Sequence, residues 1–156
     1  MINAVAQKQV NFGKNSKIGA YSRVLCTTHL SQMGKGFQLG NHSACGEYCY
    51  FGATGGIEIG DNVIIGQYVS FHSQEHVFTD PGINIREQGT TEKGIVINDD
   101  CWIGAKATIL DGTLIGKHSV IAAGSVVKGI FPDNVLIAGT PARIVRYLDR
   151  AAIDNV

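Results

Sequence analysis

Apolar residues recur at every sixth position across the second half of the chain: Ile97, Ile103, Ile109, Ile115, Ile121 and Val127. A second row follows four residues behind the first, at Cys101, Ala107, Thr113, Ser119 and Ser125, and all of its members are small. A period of six suits neither an α-helix, which repeats near 3.6, nor a free-standing strand, which alternates. It suits a chain that turns a corner every six residues and stacks each coil on the one before. Three such faces close a triangular coil, with neighbouring coils at the ordinary strand spacing of about 4.8 Å. Apolar residues then fill the prism, and the small residues ease its corners.

The same period runs earlier in the chain. Phe12, Ile18 and Val24 are six apart, with Ser16 and Ser22 in the small register. Residues 27–35 break step. The period resumes at Leu39, Cys45 and Phe51, each followed by Gly, and restarts after Thr54-Gly55-Gly56 at Ile59, Ile65 and Phe71. Between residues 72 and 94 it vanishes, which marks a long excursion out of a regular repeat, a common place for function. After the unbroken run to Val127, Pro132-Asp133-Asn134 turns the chain into a short strand at Val135 to Ile137. Residues 141–152, with Ile144, Val145 and Leu148 on one side, predict a terminal helix that caps the open end of the stack. The predicted fold class is all-β: one parallel β-helix domain over 1–156, with a repeat core over 12–140.

Composition narrows the function. The formal net charge is +0, and no basic run offers a nucleic-acid surface. No apolar stretch is long enough to span a bilayer, and Met1 to Val10 lacks the charged head and apolar run of a signal peptide. A cytoplasmic protein is expected, with room for peripheral work beside the inner membrane. Cys26, Cys45, Cys49 and Cys101 form no CxxC pair and read as buried thiols.

Four segments carry a resemblance: Ile57-Glu58-Ile59-Gly60-Asp61-Asn62-Val63, Ser73-Gln74-Glu75-His76, Asp100-Cys101-Trp102-Ile103-Gly104-Ala105 and Ala138-Gly139-Thr140-Pro141-Ala142-Arg143. With the repeat, they make the chain similar to the hexapeptide-repeat acyltransferases, in particular the maltose and galactoside O-acetyltransferases and those that decorate surface polysaccharides. The resemblance implies a left-handed parallel β-helix, acetyl-CoA as cosubstrate, no metal, and a homotrimer with each site between two chains. Handedness comes from the resemblance alone.

Moving an acetyl group from a thioester to a hydroxyl needs a base, a donor for the oxyanion and a groove for the carrier. His76 is the expected base, since the family carries its base in a loop at this point; His72 is the fallback. His29, His42 and His118 read as structural or solvated. Glu75, Glu87 and Glu92 are candidates to orient the base, and the sequence does not choose among them. The resemblance places the amide of Ala105 at the thioester, with Ala123 one coil later on the same face. Trp102 is expected to face outward as a contact for the coenzyme arm, with a neighbouring subunit or the acceptor as alternatives. Lys128, Arg143 and Arg146 are candidate partners for coenzyme phosphates, although Val126-Val127-Lys128-Gly129 sets the lysine one residue away from its place in the family. Arg86 and Gln88, with Glu87 between them, offer polar contacts for an acceptor. The function expected is acetyl-CoA-dependent O-acetylation of a sugar hydroxyl in surface polysaccharide synthesis. Three alternatives stay open: N-acetylation of an amino sugar, a zinc enzyme like the γ-class carbonic anhydrases, and a non-catalytic scaffold.

Overall fold

Each six-residue repeat supplies one short strand and one corner, and three repeats close a coil. The computed structural model describes residues 1–3, 10–27 and 33–148; His29 and residues 149–152 of the expected helix lie outside them. The first face stacks Ile2–Asn3, Arg23–Leu25, Tyr50–Gly52, Ser70–His72, Thr108–Leu110 and Val126–Val127 in parallel. The second stacks Asn11–Phe12, Phe37–Leu39, Ile57–Ile59, Ile95–Ile97, Leu114–Ile115 and Ile130–Phe131. The third stacks Lys17–Ile18, Ala44–Cys45, Ile64–Ile65, Trp102–Ile103, Val120–Ile121 and Val135–Gly139. The coil is a left-handed parallel β-helix.

Register follows the period. Ile97 pairs with Ile115, Ile103 with Ile121 and Ile109 with Val127, so identical repeat positions stack. All six of these apolar residues are at most 1% exposed. Burying each stabilises the prism by about 2 kcal/mol. Lower in the prism the filling is aromatic: the rings of Phe37 and Phe51, and of Phe51 and Phe71, have centroids 5.0 Å apart. Phe12 keeps the inward phase yet is 45% exposed, because it lies on the edge strand of its face; its ring packs against Phe37.

The small register does more than fill space. The Ser43 hydroxyl donates to the Gly60 carbonyl at 2.7 Å and accepts from the Val63 amide at 2.9 Å, so it ties one coil to the next at the corner. Two edges of the prism turn through residues with positive φ. One uses Asn15, His42, Asn62, Asp100, His118 and Asn134; the other uses Tyr21, Tyr48, Tyr68 and Lys106. Asn, Asp and His tolerate this conformation better than most residues.

The chain end differs from the expected helix. Ala142–Tyr147 is a strand, antiparallel to Val135–Gly139, with a bulge between Leu136 and Ile137. The last strand of the third face presents unpaired backbone groups, and Gly139, at a φ of 107°, reverses the chain onto that edge. Ile144, Val145 and Tyr147 favour a strand once a partner edge exists. The stack is therefore capped by strand pairing over these residues. No described helix is long and apolar enough to cross a membrane.

Candidate active site

The excursion begins where the first face ends. Ser73 is buried, and its hydroxyl donates to the Gly52 carbonyl at 2.8 Å and accepts from the Gly55 amide at 2.9 Å. This fixes the point at which the chain leaves the prism. The next residues form a small antiparallel ladder, with Glu75 opposite Thr91 and His76 opposite Thr90. The Val77 amide extends it by donating to the Gly89 carbonyl at 3.0 Å. At the tip, Ile85–Glu87 make one 3-10 turn.

The return arm is held from the coil above. Asp111 is 2% exposed and is the only buried carboxylate among the described residues. It accepts the Thr91 hydroxyl at 2.8 Å on one oxygen and the Gly94 amide at 2.9 Å on the other. Thr91 sits in the ladder beside His76, so a buried carboxyl group in the wall holds the loop that carries the imidazole. His76 is exposed, and its imidazole has no hydrogen-bond partner among the described residues. It lines a cavity of about 160 Å³ with Glu75, Phe78, Thr91, Asp111 and Lys128. A solvent-facing imidazole with both nitrogens open can take a proton from a bound hydroxyl.

The other expected residues of the excursion have different surroundings. Glu75 forms an ion pair with Lys128 at the mouth of this cavity, so Lys128 stands beside the candidate base. Glu92 accepts from the Gln74 amide at 2.7 Å, away from His76. Arg86 and Glu87 are exposed in the 3-10 turn. Gln88 is engaged within its own loop: it accepts from the Asp80 amide and donates to the Asp80 and Ile83 carbonyls. His72 packs against the Tyr50 ring at 5.4 Å on the outer side of the first face. Burial lowers its pKa, against a smaller opposing effect from Glu75.

A second group lies on the third face and the edge that follows it. Trp102 is 55% exposed and stacks in register between Ile64 and Val120, which makes an outward apolar column. At that edge the backbone N–H groups of Ala105 and Ala123 have no partner among the described residues, while the amides of Lys106 and Gly124 beside them are bonded between coils. Glycine keeps the coils this close: a Cβ on Gly66 would lie 2.6 Å from the Ala105 nitrogen, and one on Gly104 2.4 Å from that of Ala123. Two open amides one coil apart are preorganised donors beside small side chains. Arg146 pairs opposite Leu136 and Arg143 opposite Ala138 at the C-terminal end of this face. The Arg143 guanidinium also donates to the Ala142 carbonyl at 2.7 Å.

Within one chain, then, the structure gathers His76, Glu75 and Lys128 on the first-face side and Trp102, Ala105, Ala123, Arg143 and Arg146 on the third-face side. Sequence reasoning missed Asp111, Thr91 and Phe78. A carboxylate directly after Leu110, inside the regular repeat, was a signal available for the first of these. The four cysteines are free and buried. The Cys49 thiol, 2% exposed, donates to the Gly66 carbonyl at 3.2 Å and faces the prism interior. No three His, Cys, Asp or Glu side chains converge as a metal site among the described residues.

Comparison with known proteins gives a consistent picture. Residues 94–129 match the bacterial transferase hexapeptide (six repeats) family. A crystal structure of a hexapeptide-repeat-containing acetyltransferase from Vibrio cholerae superposes with a TM-score of 0.72 at 34% identity, covering 88% of this chain and 73% of that one. That protein was also crystallised with acetyl coenzyme A. A putative lipopolysaccharide biosynthesis O-acetyl transferase of Escherichia coli is 28% identical over 145 residues, 88% of this chain and 71% of that protein. Galactoside O-acetyltransferase of Lactococcus lactis is 34% identical over 113 residues, 69% of this chain and 53% of that protein. The chain spans less than two thirds of the length of most curated relatives it matches, 30% for a probable acetyltransferase of Mycobacterium tuberculosis.

Proposed function

The chain belongs to the hexapeptide-repeat transferase family, and on that footing we propose that it transfers an acetyl group from acetyl-CoA to a sugar hydroxyl at a site shared between two copies in a trimer. The observation that carries this reading is the division of the site. An unpartnered imidazole stands on one side of the prism, and two unpartnered amides with an exposed Trp stand on another. Each half has one part of acyl-transfer chemistry and lacks the other. Threefold packing, with the excursion of one chain laid against the third-face edge of the next, joins them.

In the joined site His76 takes the proton of the acceptor hydroxyl as its oxygen attacks the thioester carbonyl. The Ala105 amide donates to the oxyanion that forms. The carbon–sulfur bond then breaks, and the thiolate of CoA leaves with the proton returned by His76. The pantetheine arm lies along the small edge past Ala123, towards Arg143 and Arg146, whose guanidinium groups suit phosphate. Phe78 and the loop tip cover the thioester and limit its hydrolysis. The O-acetyltransferases among the relatives favour a hydroxyl acceptor, and the Escherichia coli relative favours a cell-surface glycan. The protein works in the cytoplasm on this reading.

The test is His76→Ala. Coenzyme affinity by calorimetry stays within about twofold of wild type, because His76 does not hold the carrier, while turnover falls about 10²- to 10⁴-fold. Wild-type turnover in a variant that still binds acetyl-CoA would end this mechanism.

A further inference from the structure

The edge that carries Ala105 and Ala123 continues downward through three tyrosines. Inter-coil hydrogen bonds trace it without a break: Gly124 to Ala105, Lys106 to Gln67, Tyr68 to Glu47 and Tyr48 to Ala20. Tyr21, Tyr48 and Tyr68 each adopt a φ of 57–60°. Bulky residues rarely take this conformation, which costs about 1–2 kcal/mol each. Their rings form a ladder, with centroids 5.0 and 5.1 Å apart and planes within 15° and 4° of parallel. Stacking offsets part of the strain. It does not account for exposure: the three residues are 79%, 49% and 55% exposed, and none of the phenol hydroxyls has a partner among the described residues.

Position gives the ladder a use. If the coenzyme runs from the arginines at the C-terminal end, past Ala123, to place its carbonyl at Ala105, the side of the carbonyl away from the coenzyme faces Tyr68. An acceptor must approach from there. It meets a rigid column of ring edges and open hydroxyls, one pair per coil. Sugars present the matching alternation of C–H surface and hydroxyl, and tyrosine suits both. Because the rings are already locked by stacking, little further freedom is lost on binding.

We propose that the acceptor is a glycan chain of several sugar units, seated along Tyr68, Tyr48 and Tyr21 while one of its hydroxyls is acetylated. This deepens the acetyltransfer reading and rests on it for the direction of the coenzyme. Asn takes the same conformation at Asn15, Asn62 and Asn134 on another edge, so Tyr→Asn removes the rings and keeps the corner.

The experiment compares wild type with the triple variant Tyr21→Asn/Tyr48→Asn/Tyr68→Asn on glucose- and galactose-based mono-, di- and tetrasaccharides. Wild type is expected to show kcat/KM rising with acceptor length in one of these series. In the variant the tetrasaccharide value falls about tenfold, with the KM for acetyl-CoA and the Tm kept. Absence of a length preference in wild type, or its survival in the variant, overturns the proposal. Saturation-transfer NMR with the tetrasaccharides alone separates this claim from the catalytic one. Transfer from tyrosine ring protons to the glycan, lost in the variant, supports the ladder whatever the fate of His76. Absence of that transfer overturns it even where His76-dependent acetylation of a monosaccharide proceeds.

Discussion

His72 and His76 are four residues apart, and their surroundings separate them. His72 is partly covered on the outer wall against Tyr50, and burial favours its neutral form. Its folded pKa lies below the ordinary 6.5. The unfolded chain therefore binds the proton more readily, and stability rises with pH in this window. The contribution is full above about pH 6.5 and is lost as pH falls through that value towards the lower folded one. Melting temperatures measured from about pH 8 to 5 are expected to decline less steeply for His72→Gln than for wild type. Equal slopes would mean that burial does not act on this imidazole. The sequence could name both residues as candidates, because histidine type and the end of the period are visible in it. It could not rank them by environment: covering His72 takes Tyr50, a coil away.

The hairpin of the excursion shows the same division between what a sequence displays and what packing decides. The loss of period over residues 72–94 was legible because a strict repeat makes any departure plain. The mooring was not, since Thr91 and Asp111 meet only after the intervening chain completes a turn of the prism. Removing the mooring should loosen the imidazole. Asp111→Ala leaves the Gly94 amide and Thr91 hydroxyl without their partner, which costs about 1–3 kcal/mol of stability. It should also lower kcat about tenfold or more through misplacement of the base, with the KM for acetyl-CoA little changed. Asp111→Asn should recover most of both losses, because its amide can accept from Gly94 and donate to Thr91. An Asn variant as impaired as Ala would show that the charge matters and not the hydrogen bonds. The terminal segment failed in the opposite direction. Ile144, Val145 and Leu148 do fall on one side of a helix, but an open sheet edge beside a reversing Gly139 supplies backbone partners for a strand instead.

For the whole molecule, the prism sets His76 past the end of the first face and the Ala105 and Ala123 amides before its start, and in the proposed trimer a neighbouring copy rejoins them. The repeat encodes that separation openly, since position along the period tells which face a residue occupies. It does not encode which edge of a neighbour comes to meet it, because contacts between copies leave no period. The most direct test mixes two inactive proteins. His76→Ala removes the base, and Ala123→Trp blocks the coenzyme edge with a side chain at an exposed position. Each alone is expected to be inactive. Co-expressed in equal amounts and assembled at random, they should form trimers in which about a quarter of the sites pair an intact imidazole with an intact edge. Acetyl transfer at about a quarter of the wild-type rate is the predicted result, and mixtures as inactive as their parents would contradict a site shared between chains.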